Sequence, residues 1–353
     1  MFQKLLKWKW ILLAFICYLL LMVLPASFVE KYYSNAFFLF VRNLLDSSIA
    51  KIPFPAIYIF IVIVFLLLLK WFLHFFKEKP QPFFQRIFSL TSSIAAFIVF
   101  FFVLWGFNYG RIPIEEKLNI NPVTISNIQL LEETKFTIKQ LENLRKTLKR
   151  DTGSLPQIIF INNIETISRD ALNKTLQNFS YPYSSKIRGR FVVEDMFLVF
   201  SIGGQYLPYV GEANVDDAVF FSKKPFYLIH ELAHGNGFTE EATCNFLAYV
   251  SCKQSGNVAL EYSGELNYLL YLLSELKYRD SVAFDSLMLS LPHNIAKDLA
   301  EIKQHIAEHT FKTAFFGDLV NNLYLKILGI PDGVKNYDKM LLLVYAWKHQ
   351  YPK

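Results

Sequence analysis

Apolar residues crowd into three long runs before residue 110 and settle into a helical rhythm after it. The runs cover about Trp8 to Leu24, Pro55 to Phe76 and Ile87 to Phe107. Each comes close to the roughly 20 predominantly apolar residues that a helix needs to cross a bilayer core. The expected architecture is therefore α+β, mainly α: three N-terminal transmembrane helices within residues 1–110, then a separate domain over residues 111–353. A cleaved signal peptide is the alternative for the first run. Its aromatic flanks, the weak small-residue site at Ala26-Ser27 and the two runs that follow favour an anchor. Between the first two runs, Tyr32 to Pro53 mixes Phe37, Phe38, Leu39, Phe40 and Leu44 with Arg42 and Asp46, a composition suited to a helix at the outer interface.

Downstream the period shortens and varies. Phe136, Ile138, Leu141, Leu144 and Leu148 predict a helix over Thr134 to Arg150, closed by Asp151-Thr152-Gly153, and a second helix is expected over Asp170 to Phe179. The Phe- and Val-rich stretches Arg190 to Gly203 and Tyr206 to Val215 predict two or more strands. From Pro225 the spacing is helical, with segments at 224–235, 239–254, 259–278, 294–310, 312–328 and 334–348 separated by turn residues. A small sheet packed with many helices results.

Charge fixes the expected orientation. Lys4, Lys7 and Lys9 precede the first run, and Lys70, Lys77, Lys79 and Arg86 surround the link between the second and third. Basic flanks stay in the cytoplasm. The N-terminus is thus expected inside, and three crossings put everything after Tyr109 outside. The apolar share of 53% and the 35 Phe are more than one soluble domain usually needs, and much of the excess lies before residue 110. The net charge of +6 comes from scattered residues rather than a dense basic run, which argues against a nucleic-acid partner. Cys244 and Cys252 are eight residues apart on one expected helix, about 12 Å, too far for a disulfide.

The chemistry lies in His230-Glu231-Leu232-Ala233-His234. At about 100° per residue the two imidazoles share one helix face, one turn apart, where both can hold a zinc ion. Glu231 beside them is placed to hold a water and take its proton, the general-base role in peptide hydrolysis. With 7 His in 353 residues and Glu at about 5%, roughly 0.007 such matches are expected by chance. The apolar surroundings (Phe226, Tyr227, Leu228, Ile229, Leu232) would bury these polar groups without partners unless a metal were present. The bland reading is two core histidines that only hydrogen-bond. Catalytic zinc takes three protein ligands. Gly235-Asn236-Gly237 turns the chain back after the motif, so Glu240 and Glu241 are both candidates for the third. Glu240 stands where HExxHxxGxxH peptidases place their last ligand. The inverted pattern His305-Ile306-Ala307-Glu308-His309 needs a downstream acidic ligand, and no glutamate follows Glu308; with Lys303, Gln304 and Lys312 around it, it reads as a solvated face.

At these residues the chain resembles a bacterial membrane-protein family known as domain of unknown function 3810, itself similar to zinc peptidases of the gluzincin type. Trp105-Gly106-Phe107-Asn108-Tyr109, Pro208 through Val215, the motif through Phe246, and Gly333-Val334-Lys335-Asn336-Tyr337 carry the resemblance. It implies a zincin-like domain on the periplasmic side of a bacterial cytoplasmic membrane. Glu241-Ala242-Thr243-Cys244-Asn245 matches a motif commonly read E-x-E-A-N, which implies Glu241 as the third ligand and Asn245 as a residue orienting a ligand. Thr243 and Cys244 depart from that motif; Cys244 is a soft donor or a small buried hydrophobe. Tyr337 is a candidate hydrogen-bond donor to an oxyanion.

Two functions are expected to compete. The first is a membrane-anchored zinc peptidase: Zn2+ on His230, His234 and Glu241, Glu231 as base, and a peptide or protein substrate paired with a sheet edge at Ala213 and Asn214. The second is a non-catalytic anchored protein with a vestigial or structural metal site. A structural zinc usually takes four protein ligands and has no use for Glu231.

Overall fold

The computed structural model describes residues 2–49, 51–77, 83–148, 154–200, 202–309 and 337–350. It is mainly helical with one three-stranded sheet, and the chain divides into two compact units. One comprises Met1–Ile112 with Leu207–Glu212; the other comprises Pro113–Tyr206 with Ala213–Lys353.

In the first unit, helix α1 (Phe2–Val23) ends where Pro25 adopts an extended backbone. Proline lacks the amide that would continue the ladder. The chain resumes as a short helix, a π-helical stretch (Val29–Phe37) and α2 (Phe38–Ile49), so that the two arms meet at 110°. Helices α3 (Ile57–Lys77) and α4 (Phe83–Leu104) follow. Among the described residues one helix, Phe84–Leu104, is long and apolar enough to cross a bilayer. The bent pair Trp8–Val23 with Ala26–Ile49 qualifies only jointly, and Ile57–Leu73 is apolar but shorter. Among the described residues, length and composition thus support one span, or two if the bent pair is a single span, and do not establish three.

The segment expected to lie at the interface turns its charges inward instead. Arg42 and Asp46 are both buried and paired one turn apart, and Arg42 Nη1 donates to the Gly211 carbonyl at 2.8 Å. Phe37, Phe40 and Leu44 stay exposed on the same segment. Burying a charge is tolerable only when it is paired and hydrogen-bonded, which these contacts supply.

The second unit holds the remaining elements. Helices α5 (Asn127–Thr147) and α6 (Ile164–Asn178) precede the sheet. Helix α5 starts seven residues before the expected Thr134 because Ser126 and Gln129 form a capping box, satisfying two amides reciprocally. The strands are β1 (Gly189–Val192), β2 (Gly204–Leu207) and β3 (Glu212–Asp216). Their order is β1-β3-β2, and β1 runs parallel to β3 with Gly189 opposite Ala213 and Val192 opposite Asp216. The expected strand over 190–203 stops at Val192. Beyond it, the buried Asp216 carboxylate accepts from the amides of Asp195, Phe197 and Leu198 at 2.7–2.9 Å, and so replaces ladder partners with a turn.

Helices α7 (Lys224–Gly235), α8 (Glu241–Lys253), α9 (Val258–Arg279), α10 (Ser281–Leu289), α11 (His293–His309) and α12 (Tyr337–Gln350) complete the unit. Helix α10 was not foreseen; Asp280 starts it by capping the Ala283 amide at 2.9 Å. The helix expected over 312–328 lies outside the described residues. Leu228, Ile229, Phe246, Leu247, Tyr249 and Leu269 form the buried centre, so α7 and α8 run through the core rather than over it. Arg145 of α5 is fully buried and grips Asp298 of α11 through two bonds of 2.7 and 2.8 Å, while Tyr262 bonds the same carboxylate.

Candidate metal centre

The helical spacing places both imidazoles of the motif as expected. Pro225 opens α7 within its first turn, where its missing amide costs nothing, and Asn236 closes it. Gly237 then takes φ +82°, a left-handed conformation in which glycine has no side-chain penalty, and the chain returns as α8.

Each imidazole is held from behind. His230 Nδ1 lies 2.8 Å from Asn245 Oδ1, and His234 Nδ1 lies 2.8 Å from the Phe238 carbonyl. An Nδ1–H donated to an oxygen leaves the ring's lone pair at Nε2. The two Nε2 atoms converge at 3.1 Å. Glu241 closes the triangle, with Oε2 3.0 Å from His230 Nε2 and Oε1 3.4 Å from His234 Nε2. Tetrahedral coordination at about 2.0–2.1 Å sets ligand atoms about 3.3 Å apart. Separations of 3.0–3.4 Å in an N, N, O donor set therefore fit a zinc ion, and among the described residues this is the one group of three or more His, Cys, Asp or Glu side chains so gathered.

The rival carboxylate is committed elsewhere. Glu240 Oε1 accepts from Lys339 Nζ at 2.7 Å and Oε2 from Thr243 Oγ1 at 2.6 Å. Thr243 thus faces away from the imidazoles. Cys244 Sγ sits 3.4 Å from His234 Nδ1, on the side of the ring opposite the convergence point. Burial raises its thiol to about 11, so it packs as a neutral group behind the ligand.

Glu231 is buried at 4% exposure, and its Oε2 has no hydrogen-bond partner. Burial raises its pKa, tempered by His230 and His234 and by the Tyr206 backbone amide. His234 moves the other way from what burial alone dictates: desolvation opposes a charged ring, but nearby Cys244 and Glu241 lift its pKa well above the usual value. With the Cys244 thiol neutral near pH 7, Glu241 is the operative anion. Withdrawal from water works against charge on Glu241, yet His234 and His230 hold its carboxyl well below the ordinary range.

Strand β2 lies over this face. A side chain at Gly204 would put Cβ 2.8 Å from Glu231 Oε1 and 2.9 Å from the Asn214 carbonyl, so only glycine permits the approach. Ala213 and Asn214 do not form the sheet edge that the sequence suggested. They lie in the central strand, where the Ala213 amide donates to the Arg188 carbonyl at 3.0 Å and Asn214 stands opposite Arg190. The edge facing the site is β2, and the adjacent glycines Gly203-Gly204 were the available signal. The inverted motif is structural rather than a solvated face. His305 Nε2 meets the Ala218 carbonyl at 2.6 Å and His309 Nδ1 meets Asp195 Oδ1 at 2.8 Å, both half-buried. The Tyr337 side chain lies outside the described residues.

A family model described as Protein of unknown function (DUF3810) matches residues 33–345. No curated protein and no solved structure matches.

Proposed function

The chain belongs to the DUF3810 family, and from the geometry of its metal centre we propose that it is a membrane-anchored zinc peptidase. The observation that carries this reading is the meeting of His230, His234 and Glu241 beside a buried carboxylate with an unsatisfied oxygen, Glu231. A purely structural site has no need of that fourth group.

A zinc ion held by His230, His234 and Glu241 would supply Lewis acidity at its open position. The protein's own groups do the rest. Glu231, its pKa raised by burial, takes a proton from a water and hands it to the departing amine. Asn245 and the Phe238 carbonyl keep both imidazoles in the ligating tautomer. The edge strand β2 offers backbone groups along which an extended peptide can add, in place of Ala213 and Asn214.

The anchoring belongs to the same proposal. The apolar runs and the basic flanks support three spans, a cytoplasmic N-terminus and a catalytic unit outside the cytoplasm, and the family resemblance supports a bacterial membrane. Glu231→Gln tests the activity: zinc content should persist while peptide hydrolysis falls by at least 10²-fold. Hydrolysis that survives this change removes the peptidase reading, and retained zinc without hydrolysis by the native chain favours a structural site.

A further inference from the structure

The stripe of α7 that carries the metal ligands does not end at His230. Taking about 100° per residue and His230 as zero, His234 falls at about 40° and Glu231 at about 100°. Tyr227 falls at about 60° and Lys223 at about 20°, on the same face, one and two turns towards the N-terminus. Both residues line a cavity of about 320 Å³ whose remaining walls include Leu270 and Tyr271 of α9 and Leu341 of α12.

The strand and the cavity share a wall. A Cβ at Gly203 would lie 2.1 Å from the Tyr227 ring, and a Cβ at Gly204 would lie 2.8 Å from Glu231. Successive glycines therefore press on successive turns of α7, so a peptide tracking this strand past Glu231 comes next to Tyr227. Four residues of helix rise about 6 Å, close to two residues of extended chain at about 3.3 Å each. A side chain within two residues of the scissile bond would therefore lie beside Tyr227, the residue that the strand and the cavity share.

We propose that this cavity is a specificity pocket for an aromatic or large aliphatic side chain of the peptide substrate, an inference that rests on the peptidase reading. Tyr227, Tyr271, Leu270 and Leu341 supply the apolar part of a lining that also holds Asn267, Ser274 and Glu275, and a cavity of about 150 Å³ already admits benzene. A volume of about 320 Å³ thus holds one large side chain with room to spare and is too small for a folded segment. Lys223 stands 5.0 Å over the Tyr227 ring and is one of the polar groups of the lining.

Two measurements on the full chain in detergent test the pocket. Equilibrium binding of N-acetyl-phenylalaninamide and N-acetyl-alaninamide to zinc-loaded Glu231→Gln protein should favour the aromatic probe by at least 10-fold, and adding Ser274→Trp, which fills the cavity, should erase that preference. Cleavage of a peptide series varied at single positions should show the same preference in kcat/KM for the native chain. Leu270→Ala, which widens the cavity, should shift it towards tryptophan. Equal binding of the two probes, or a preference untouched by both variants, overturns the pocket. Selective binding without any cleavage keeps the pocket's chemistry and overturns the peptidase reading instead.

Discussion

Asn245 Oδ1 approaches His230 Nδ1 to 2.8 Å, and this contact leaves Nε2 of His230 to face His234 and Glu241. Asn245 is one helical turn beyond Glu241, so a single face of α8 supplies both a proposed zinc ligand and the support for another. Asn245→Ala should lower zinc affinity by about 10–100-fold, the usual cost of losing a partner behind a metal-bound histidine. Asn245→Asp, which keeps an acceptor there, should restore most of it. Competition titration with a zinc-sensitive dye measures both, and an unchanged affinity in Asn245→Ala would sink the orienting role.

The two adjacent glutamates should separate cleanly. Glu241→Ala removes the one carboxylate that, among the described residues, converges on both Nε2 atoms, and should cost zinc at least 100-fold in affinity. Glu240→Ala breaks the contacts to Lys339 and Thr243 and loosens the start of α8. It should lower Tm by about 2 °C, as the loss of about 1 kcal/mol does in a unit of more than 200 residues, while leaving zinc bound. Metal analysis showing the reverse order would transfer the ligand assignment to Glu240.

Some of this was legible in the residues and some was not, for reasons of range. His230, Glu231 and His234 are fixed by helical geometry within five residues, so their shared face follows from spacing alone. Glu241 and Glu240 are neighbours with identical chemistry. What divides them is Lys339, about a hundred residues away, and no local pattern announces that contact. The sheet edge was misjudged for a similar reason. Ala213 to Val215 reads correctly as a buried strand, but its central position depends on parallel pairing with Gly189 to Phe191, a long-range choice. Arg42 and Asp46 misled because charges in an apolar segment suggest a wet face, whereas here they satisfy each other inside.

The pH response of the metal-free chain follows from the two opposed shifts. His234 has a folded pKa well above its ordinary value of about 6.5, so its stabilisation is complete below about pH 6.5 and is lost as pH rises through the raised value. Glu241 is depressed, so its contribution is present above about pH 4.3 and is lost as pH falls through the lowered value. Stability from this pair should therefore peak in mildly acidic solution. The Tm of the chelated protein should decline on going from pH 6 to pH 9, and His234→Gln should flatten that decline. Zinc reverses the trend, because its ligands must be deprotonated: the Tm gain on adding a fixed zinc excess should grow with pH. A zinc effect that is independent of pH would contradict histidine ligation.

Gly204 gives the sharpest test of β2 as part of the working site, because its role is purely steric. A methyl there meets the Glu231 carboxylate at 2.8 Å and the Asn214 carbonyl at 2.9 Å, and the latter belongs to the central strand and cannot swing aside. Gly204→Ala must then push β2 off α7 or turn Glu231 away from the gap between the imidazoles. Displacements near 1 Å at a reacting centre cost on the order of 10² in rate. The atoms nearest such a methyl belong to Glu231 and Asn214 rather than to the proposed ligands, so zinc content should stay near the native level while kcat/KM falls by about that factor. Moving the same methyl to Gly256, where nothing lies within 4 Å, separates contact from backbone effects, since φ there is +72° and only folding stability should suffer. Full activity in Gly204→Ala would place the substrate path somewhere other than along this strand.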